Sequence, residues 1–137
     1  MNELLIDTNI LVYAIDEDSE FYSKSQKLLY RSDYALFTTS KNLSEFLAVV
    51  TKGPVVSLSI DDALAVLADY VSLFSILYPS DNSFAIFREL LRKYKPSGLR
   101  VHDFEIASIG LAHEIKQIAT VNAKDFEGIG EVKLVKI

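Results

Sequence analysis

Short apolar segments alternating with amphipathic ones predict an α/β fold, with a parallel sheet covered by helices on both faces. Three observations carry this expectation. Leu4-Leu5-Ile6, Ala35 to Thr38, Phe74 to Leu77, Ile118 to Val121 and Val132 to Ile137 are short runs dominated by apolar residues, as buried parallel strands are. The intervening stretches carry apolar residues at helical spacing. Polar and acidic residues gather where strands give way to helices, the end at which ligands collect in such sheets.

The elements follow in order. The first strand, Leu4 to Ile6, ends on the polar triplet Asp7-Thr8-Asn9, and Asn9 is a candidate cap for a short helix from Ile10 to Ala14. Ser19 to Tyr30 reads as a helix with Phe21, Tyr22, Ser25, Leu28 and Leu29 on one side. After the second strand, a helix spans Asn42 to Val50 and Gly53-Pro54 stops it. Asn42 and Glu45 have the spacing of a capping box. Ser59-Ile60-Asp61-Asp62 starts a helix that leads into the third strand, and Pro79-Ser80-Asp81 starts another with Phe84, Phe87, Leu91 and Tyr94 on its apolar face. Gly98 marks a break, and His102 to Ile115 forms the helix before the fourth strand.

With 137 residues, half of them hydrophobic and 24% charged, the chain suits one globular domain spanning residues 1–137. No run approaches ~18 uninterrupted apolar residues, so no membrane span is expected. The first residues do not resemble a secretory leader. There is no cysteine, which excludes disulfides and thiolate metal sites. A cytoplasmic location is the expectation. The net charge of −5 argues against broad, charge-driven binding to nucleic acid, unless a cluster of the acids is neutralised by bound cations.

Several chemistries drop out. The chain has no glycine-rich phosphate loop, no G-x-S-x-G elbow and no H-E-x-x-H pair, since His102 and His113 stand eleven apart. What remains is a set of acids at strand-to-helix junctions: Asp7, Glu45, Asp103 and Asp125. Each has a local explanation, as a helix-start acceptor, a capping-box partner, a dipole-compensating acid or a turn residue. Brought together, four carboxylates repel one another, and some must stay protonated unless cations intervene. Oxygen-only ligands point to Mg²⁺ or Mn²⁺, hence to metal-assisted phosphoryl chemistry as a candidate.

The four segments around these acids resemble those of the PIN domain family, and within it the VapC-type ribonuclease toxins of toxin–antitoxin pairs. LLIDTNILVYAID is similar to the family's opening strand with its first acid, Asp7, followed by Thr8 and Asn9. TTSKNLSEFLAVVTK resembles the second motif and places Glu45. GLRVHDFEIASIGLAHEI resembles the third and places Asp103, and IATVNAKDFEGIG the fourth, with Asn122 and Asp125. Order, spacing and flanks agree over almost the whole chain.

The resemblance implies a three-layer α/β/α sandwich with a five-stranded parallel sheet in the order 3-2-1-4-5. It implies RNA cleavage dependent on one or two Mg²⁺ or Mn²⁺ ions per site, a homodimer, and neutralisation by a small antitoxin protein. Asp7, Glu45, Asp103 and Asp125 are then the metal-binding and catalytic acids. Thr8, Asn9, Thr120 and Asn122 support them, with Asn122 the rival to Asp125 as fourth ligand. Arg100, the nearest in sequence to Asp103 of the basic residues Arg88, Arg92, Lys93, Lys95 and Arg100, is the expected RNA phosphate contact. Two other PIN readings stand beside this one, an RNA-processing nuclease without an antitoxin and an inactive protein-binding scaffold. A metal-dependent phosphohydrolase of small molecules is a further alternative.

Overall fold

Leu4, Leu5 and Ile6 are fully buried, and they place the first strand, β1 (Glu3–Ile6), at the centre of the sheet. In the computed structural model, which describes residues 2–54 and 56–137, β1 pairs in parallel with β2 (Ala35–Thr39) on one side and β4 (Gln117–Thr120) on the other. β3 (Ser75–Leu77) and β5 (Lys133–Lys136) form the edges, and the order is β3-β2-β1-β4-β5 with every pairing parallel. The expected fold class and strand order are both observed.

The pleat of β1 assigns the layers. Leu4 and Ile6 enter a core cluster shared with α1 (Thr8–Tyr13), α2 (Tyr22–Arg31), α3 (Ser40–Lys52) and α4 (Ile60–Leu73). Leu5, between them, enters the opposite cluster with α5 (Asp81–Tyr94) and α6 (Arg100–Leu111). At roughly 2 kcal/mol for each buried side chain, these three residues anchor the strand that carries Asp7. Helix α6 lies close on β1: a Cβ at Gly110 would stand 3.2 Å from a Leu5 methyl carbon and 3.3 Å from the Ile115 carbonyl oxygen.

The chain runs β1, β2, β3 outward in one direction and returns to place β4 on the other side of β1. The switch point therefore lies between the carboxyl ends of β1 and β4, the crevice where ligands bind in open α/β sheets.

Several helix boundaries differ from the sequence reading. Asp7, not Asn9, is the cap of α1, its side chain accepting from the Thr8 N–H. Asn9 sits inside the first turn, and its side chain points across to β4. The capping box of α3 is Thr39 with Asn42, one helical turn before the expected Asn42 with Glu45. Glu45 takes no part in the cap and instead accepts a hydrogen bond from Thr8. Helix α2 starts at Tyr22, after a turn whose backbone bonds run from Ser19 to Asp16 and Tyr22 to Ser19. Helix α6 begins at Arg100 and ends at Leu111, where a tight turn through Glu114 at φ 60 leads into β4. Phe84, expected on the buried face of α5, is 59% exposed, and Leu90 fills the core instead. The stops at Gly53 and Gly98 are as expected, with both residues at positive φ.

Candidate active site

Asp7 takes its position from β1, whose last peptide is fixed on β4 by a 3.0 Å bond from the Asp7 N–H to the Ala119 carbonyl. Its carboxylate is buried and surrounded by donors. The Thr8 N–H donates to Oδ1 at 2.9 Å, Thr120 Oγ1 to Oδ2 at 2.8 Å, and Asn42 Nδ2 approaches Oδ1 at 3.4 Å. Burial nevertheless dominates. It pushes the Asp7 carboxyl up from 3.8 to about 6, against the Thr120 and Thr8 hydrogen bonds, with smaller upward contributions from Asp125 and Glu45.

Glu45 reaches the same crevice from the second turn of α3. Thr8 Oγ1 donates to its Oε2 at 3.1 Å. The polarity of that bond is set elsewhere. Asn42 accepts from Thr39 Oγ1 through its carbonyl oxygen at 2.6 Å, so its amide nitrogen faces Thr8 Oγ1, at 2.9 Å. The single Thr8 hydrogen is then free for Glu45. Asn42 is fully buried. Its part in the site was missed by sequence reasoning, which gave it a helix cap alone; the polar run Thr38-Thr39-Ser40 after β2 was the available signal.

Asp103 stands in the first turn of α6 and is less buried than Asp7. Its carboxyl is pushed up to about 7, first by burial and then by the charges of Asp125, Asp7 and Glu45, while Arg100 opposes the rise. Asp125 closes the 3₁₀ turn Ala123–Asp125 that follows β4, and Asn122 Nδ2 donates to its Oδ1 at 3.1 Å. Thr120 ties the two sides together: its hydroxyl oxygen accepts from Asn9 Nδ2 at 3.2 Å and from the Asn122 N–H at 3.1 Å.

All four sequence-chosen acids line one cavity of about 420 Å³, together with Thr8, Asn9 and Asn122. A second cavity, of about 720 Å³, adjoins it and shares Glu45, Asp103 and Asp125. Arg100 lines neither. Its Nη2 donates to the Glu127 carbonyl at 3.2 Å and its guanidinium lies 5.5 Å from the centre of the Phe104 ring. Phe104 itself is buried core, whereas Tyr13 lines the smaller cavity beside Phe21, 5.1 Å between ring centres.

The donor set suits a hard divalent cation, being all oxygen, anionic and mutually repulsive. Burial raises the carboxyls of Asp7 and Asp103, and the neighbouring acids add to the rise in both. Among the described residues, no three acidic or histidine side chains converge closely enough to form a finished metal-binding cluster. The four acids share one cleft. No helix among the described residues is long and apolar enough to cross a membrane.

Fold and site define an α/β domain with an acidic cleft at the switch point of its sheet. The chain belongs to the PIN domain family, whose model matches residues 4–132. No curated protein sequence matches it significantly. Among solved structures, it is similar to VapBC2 from Rickettsia felis bound to a promoter DNA fragment, with 24% identity over 98% of each chain and a TM-score of 0.74. It is also similar to DNA-bound VapBC from Salmonella typhimurium, with 23% identity over 99% of this chain and 98% of that one and a TM-score of 0.71. The Mycobacterium tuberculosis toxin VapC20, described as cleaving the sarcin–ricin loop, is 12% identical over 84% of this chain and 86% of its own, with a TM-score of 0.65. At these identities the likeness establishes the shared fold.

Proposed function

We propose that this PIN domain is a Mg²⁺- or Mn²⁺-dependent endoribonuclease and the toxin of a type II toxin–antitoxin pair. The observation that carries the nuclease reading is the meeting of Asp7, Glu45, Asp103 and Asp125 on one cleft at the sheet's switch point. Membership of the PIN family and the fold shared with toxins of VapBC complexes support the toxin reading, and they make a small antitoxin the expected partner. The cleft continues into a second cavity past three of the acids, which suits a polymer crossing the site better than a small molecule enclosed in it.

Asp7 and Asp103 would hold the cation, with Glu45 and Asp125 completing the ring. Bound there, a divalent cation polarises a phosphoryl oxygen and lowers the pKa of water. The chain's own residues aim the acids. Thr120 and the Thr8 N–H fix the plane of the Asp7 carboxylate and leave lone pairs directed at the cleft. Thr8 holds one oxygen of Glu45, so the other is available to orient or deprotonate the attacking water. Asn122 steadies Asp125 in the same way.

The test is cleavage of single-stranded and looped RNA by the purified protein with Mn²⁺ or Mg²⁺, with chelator and with Asp7→Asn. Metal-dependent cutting that the variant lacks is expected. Equal cutting by the variant would overturn the site. A short neighbouring gene whose product binds this chain and stops the cutting is expected for the toxin reading. Cutting that persists in cells with no such partner would favour an RNA-processing nuclease.

A further inference from the structure

We infer that the larger cavity beside the acids is a nucleobase subsite, built by Leu99 and His102 on one wall and by Ser40 and Ser44 on the other, and that it selects where RNA is cut. This rests on the nuclease reading above and adds the recognition element to it. Glu45, Asp103 and Asp125 line both cavities, while Asp7 lines only the smaller one. A phosphate held at the shared acids therefore has one cavity on each side, and the nucleotides flanking it must enter them.

The larger cavity, about 720 Å³, lies within the ~300–1,000 Å³ range of sites that enclose small organic groups. Its walls differ in chemistry. Leu99, at the start of α6, is 83% exposed, the highest value among the large hydrophobic side chains of the described residues. It offers an apolar surface to the face of a base, and among the described residues no aromatic one lines this cavity to stack there instead. Ser40 and Ser44 stand one turn apart on α3 and so share a helix face. Their hydroxyls, with the His102 imidazole opposite, are groups that donate and accept, as reading the edge of an unpaired base requires.

Between them Lys41 is fixed by a 3.0 Å ion pair to Glu105. That contact ties α3 to α6, and it neutralises Lys41, the one lysine or arginine among the described residues that line the cavity. A site built for the sugar–phosphate backbone would present unpaired cations. This one presents an apolar surface facing hydroxyl and imidazole groups, which favours a base over a second phosphate.

The experiment compares wild type with Leu99→Ser, His102→Gln and Ser44→Ala on a random-sequence RNA pool with Mn²⁺, reading the nucleotides at the cut ends by sequencing. Binding of a fluorescent single-stranded RNA in chelator supplies a readout that needs no metal. Leu64→Ser, on the exposed face of α4 away from the cleft, is the control. Leu99→Ser is expected to weaken RNA binding about tenfold through lost apolar burial and to flatten the preference at one nucleotide beside the cut. The two polar substitutions are expected to change which base is preferred there. Calorimetric Mn²⁺ affinity should stay at the wild-type value, since none of the three removes an acid. Leu99 is exposed enough that its substitution leaves folding intact. If wild type cuts RNA and all three variants give its cut pattern and its RNA affinity, the subsite is wrong and the nuclease reading stands. If wild type cuts no RNA, both fall.

Discussion

Asp7 and Asp103 face the same cleft with carboxyls raised to about 6 and about 7, yet the more exposed of the two is raised further. Burial is the largest cause in both cases, and the difference lies in what opposes it. Around Asp7, the Thr120 hydroxyl and the Thr8 N–H are directed at the ionised form. Around Asp103, the neighbours are carboxylates, and Arg100 alone pulls the other way. The β1–β4 side of the cleft is held by fixed dipoles. The α6 side is held against like charges, and a bound cation changes it most. Dipoles built into strand ends set geometry, whereas charge repulsion sets the appetite for a counter-ion.

The sharpest way to break this contrast is Asp7→Asn. Loss of cleavage by more than about a hundredfold is expected, beyond the 10–100-fold typical of losing a residue that merely orients a ligand. Stability should respond in the opposite sense. A carboxyl whose folded value lies above its unfolded 3.8 favours the folded state at low pH and loses that contribution as pH rises from 3.8 to about 6. At neutral pH this amounts to a penalty of ~3 kcal/mol for wild type without metal. The variant escapes that penalty but turns an amide N–H₂ towards Thr120 Oγ1, which already accepts two hydrogen bonds. The firm expectation is a flatter stability profile between pH 4 and 7, checked by urea unfolding in chelator across that range. A variant with the full wild-type slope would remove Asp7 as its source.

Metal should erase the pH penalty on both sides at once. Mn²⁺ binding only the folded protein raises its stability by ~3 kcal/mol at a hundredfold excess over Kd. Asp7→Asn combined with Asp103→Asn should lose most of that rise in melting temperature. Wild type melting at one temperature across a saturating Mn²⁺ titration would count against the shared-cation account.

Thr120→Val tests the dipole side alone. It removes the donor to Asp7 Oδ2 and orphans two donors, Asn9 Nδ2 and the Asn122 N–H. A cost of ~1–3 kcal/mol in stability is expected. The acidic limb of the rate profile should also move to higher pH, because Asp7 loses the strongest influence lowering its carboxyl. A stability loss with an unmoved limb would make Thr120 structural only.

These tests also divide what the sequence could and could not reveal. Asp7 was legible because a charged residue directly after Leu4-Leu5-Ile6 has few local reasons to be there. Strand alternation with helices then put it at the ligand-binding end. The neighbouring assignments were harder. Asn42 and Glu45 satisfy capping spacing, but so do Thr39 and Asn42, and only the true start of α3 decides between them. That choice turned Asn42 from a cap with Glu45 into the residue that orients Thr8 towards it. For Arg100, sequence proximity to Asp103 suggested a cation near the acids, and its charge does act on Asp103. The bond to the Glu127 carbonyl and the place beside the Phe104 ring had no sequence signal. Pairings between Asn9 and Thr120, or between Thr8 and Glu45, join residues far apart in the chain and leave no periodic signal.

The smallest expected effects lie at the end of β4, where Asn122 and Asp125 compete for the fourth place. Asn122 Nδ2 donates to Asp125 Oδ1, and both side chains line the acid cavity. An amide that donates to a carboxylate holds it in one rotamer, and the carboxylate keeps its second oxygen for a cation. The neutral carbonyl of Asn122 attracts a divalent ion less than that oxygen does. Asp125→Ala should therefore weaken Mn²⁺ binding more than Asn122→Ala, and less than Asp7→Ala, because Asp125 sits on a 3₁₀ turn outside the sheet. Asn122→Ala frees Asp125 without removing it, so its cost should stay within about tenfold, the lower end for a lost orienting hydrogen bond. Asp125→Ala also lowers the negative charge facing Asp103, whose carboxyl should fall towards its ordinary 3.8. Mn²⁺ calorimetry on the three variants gives the ranking, and a pH titration of Asp103 by NMR in chelator gives the charge effect. Should Asn122→Ala prove the more damaging of the two at the end of β4, their roles are exchanged, and the β4 end then offers the cation a neutral carbonyl oxygen in place of a carboxylate.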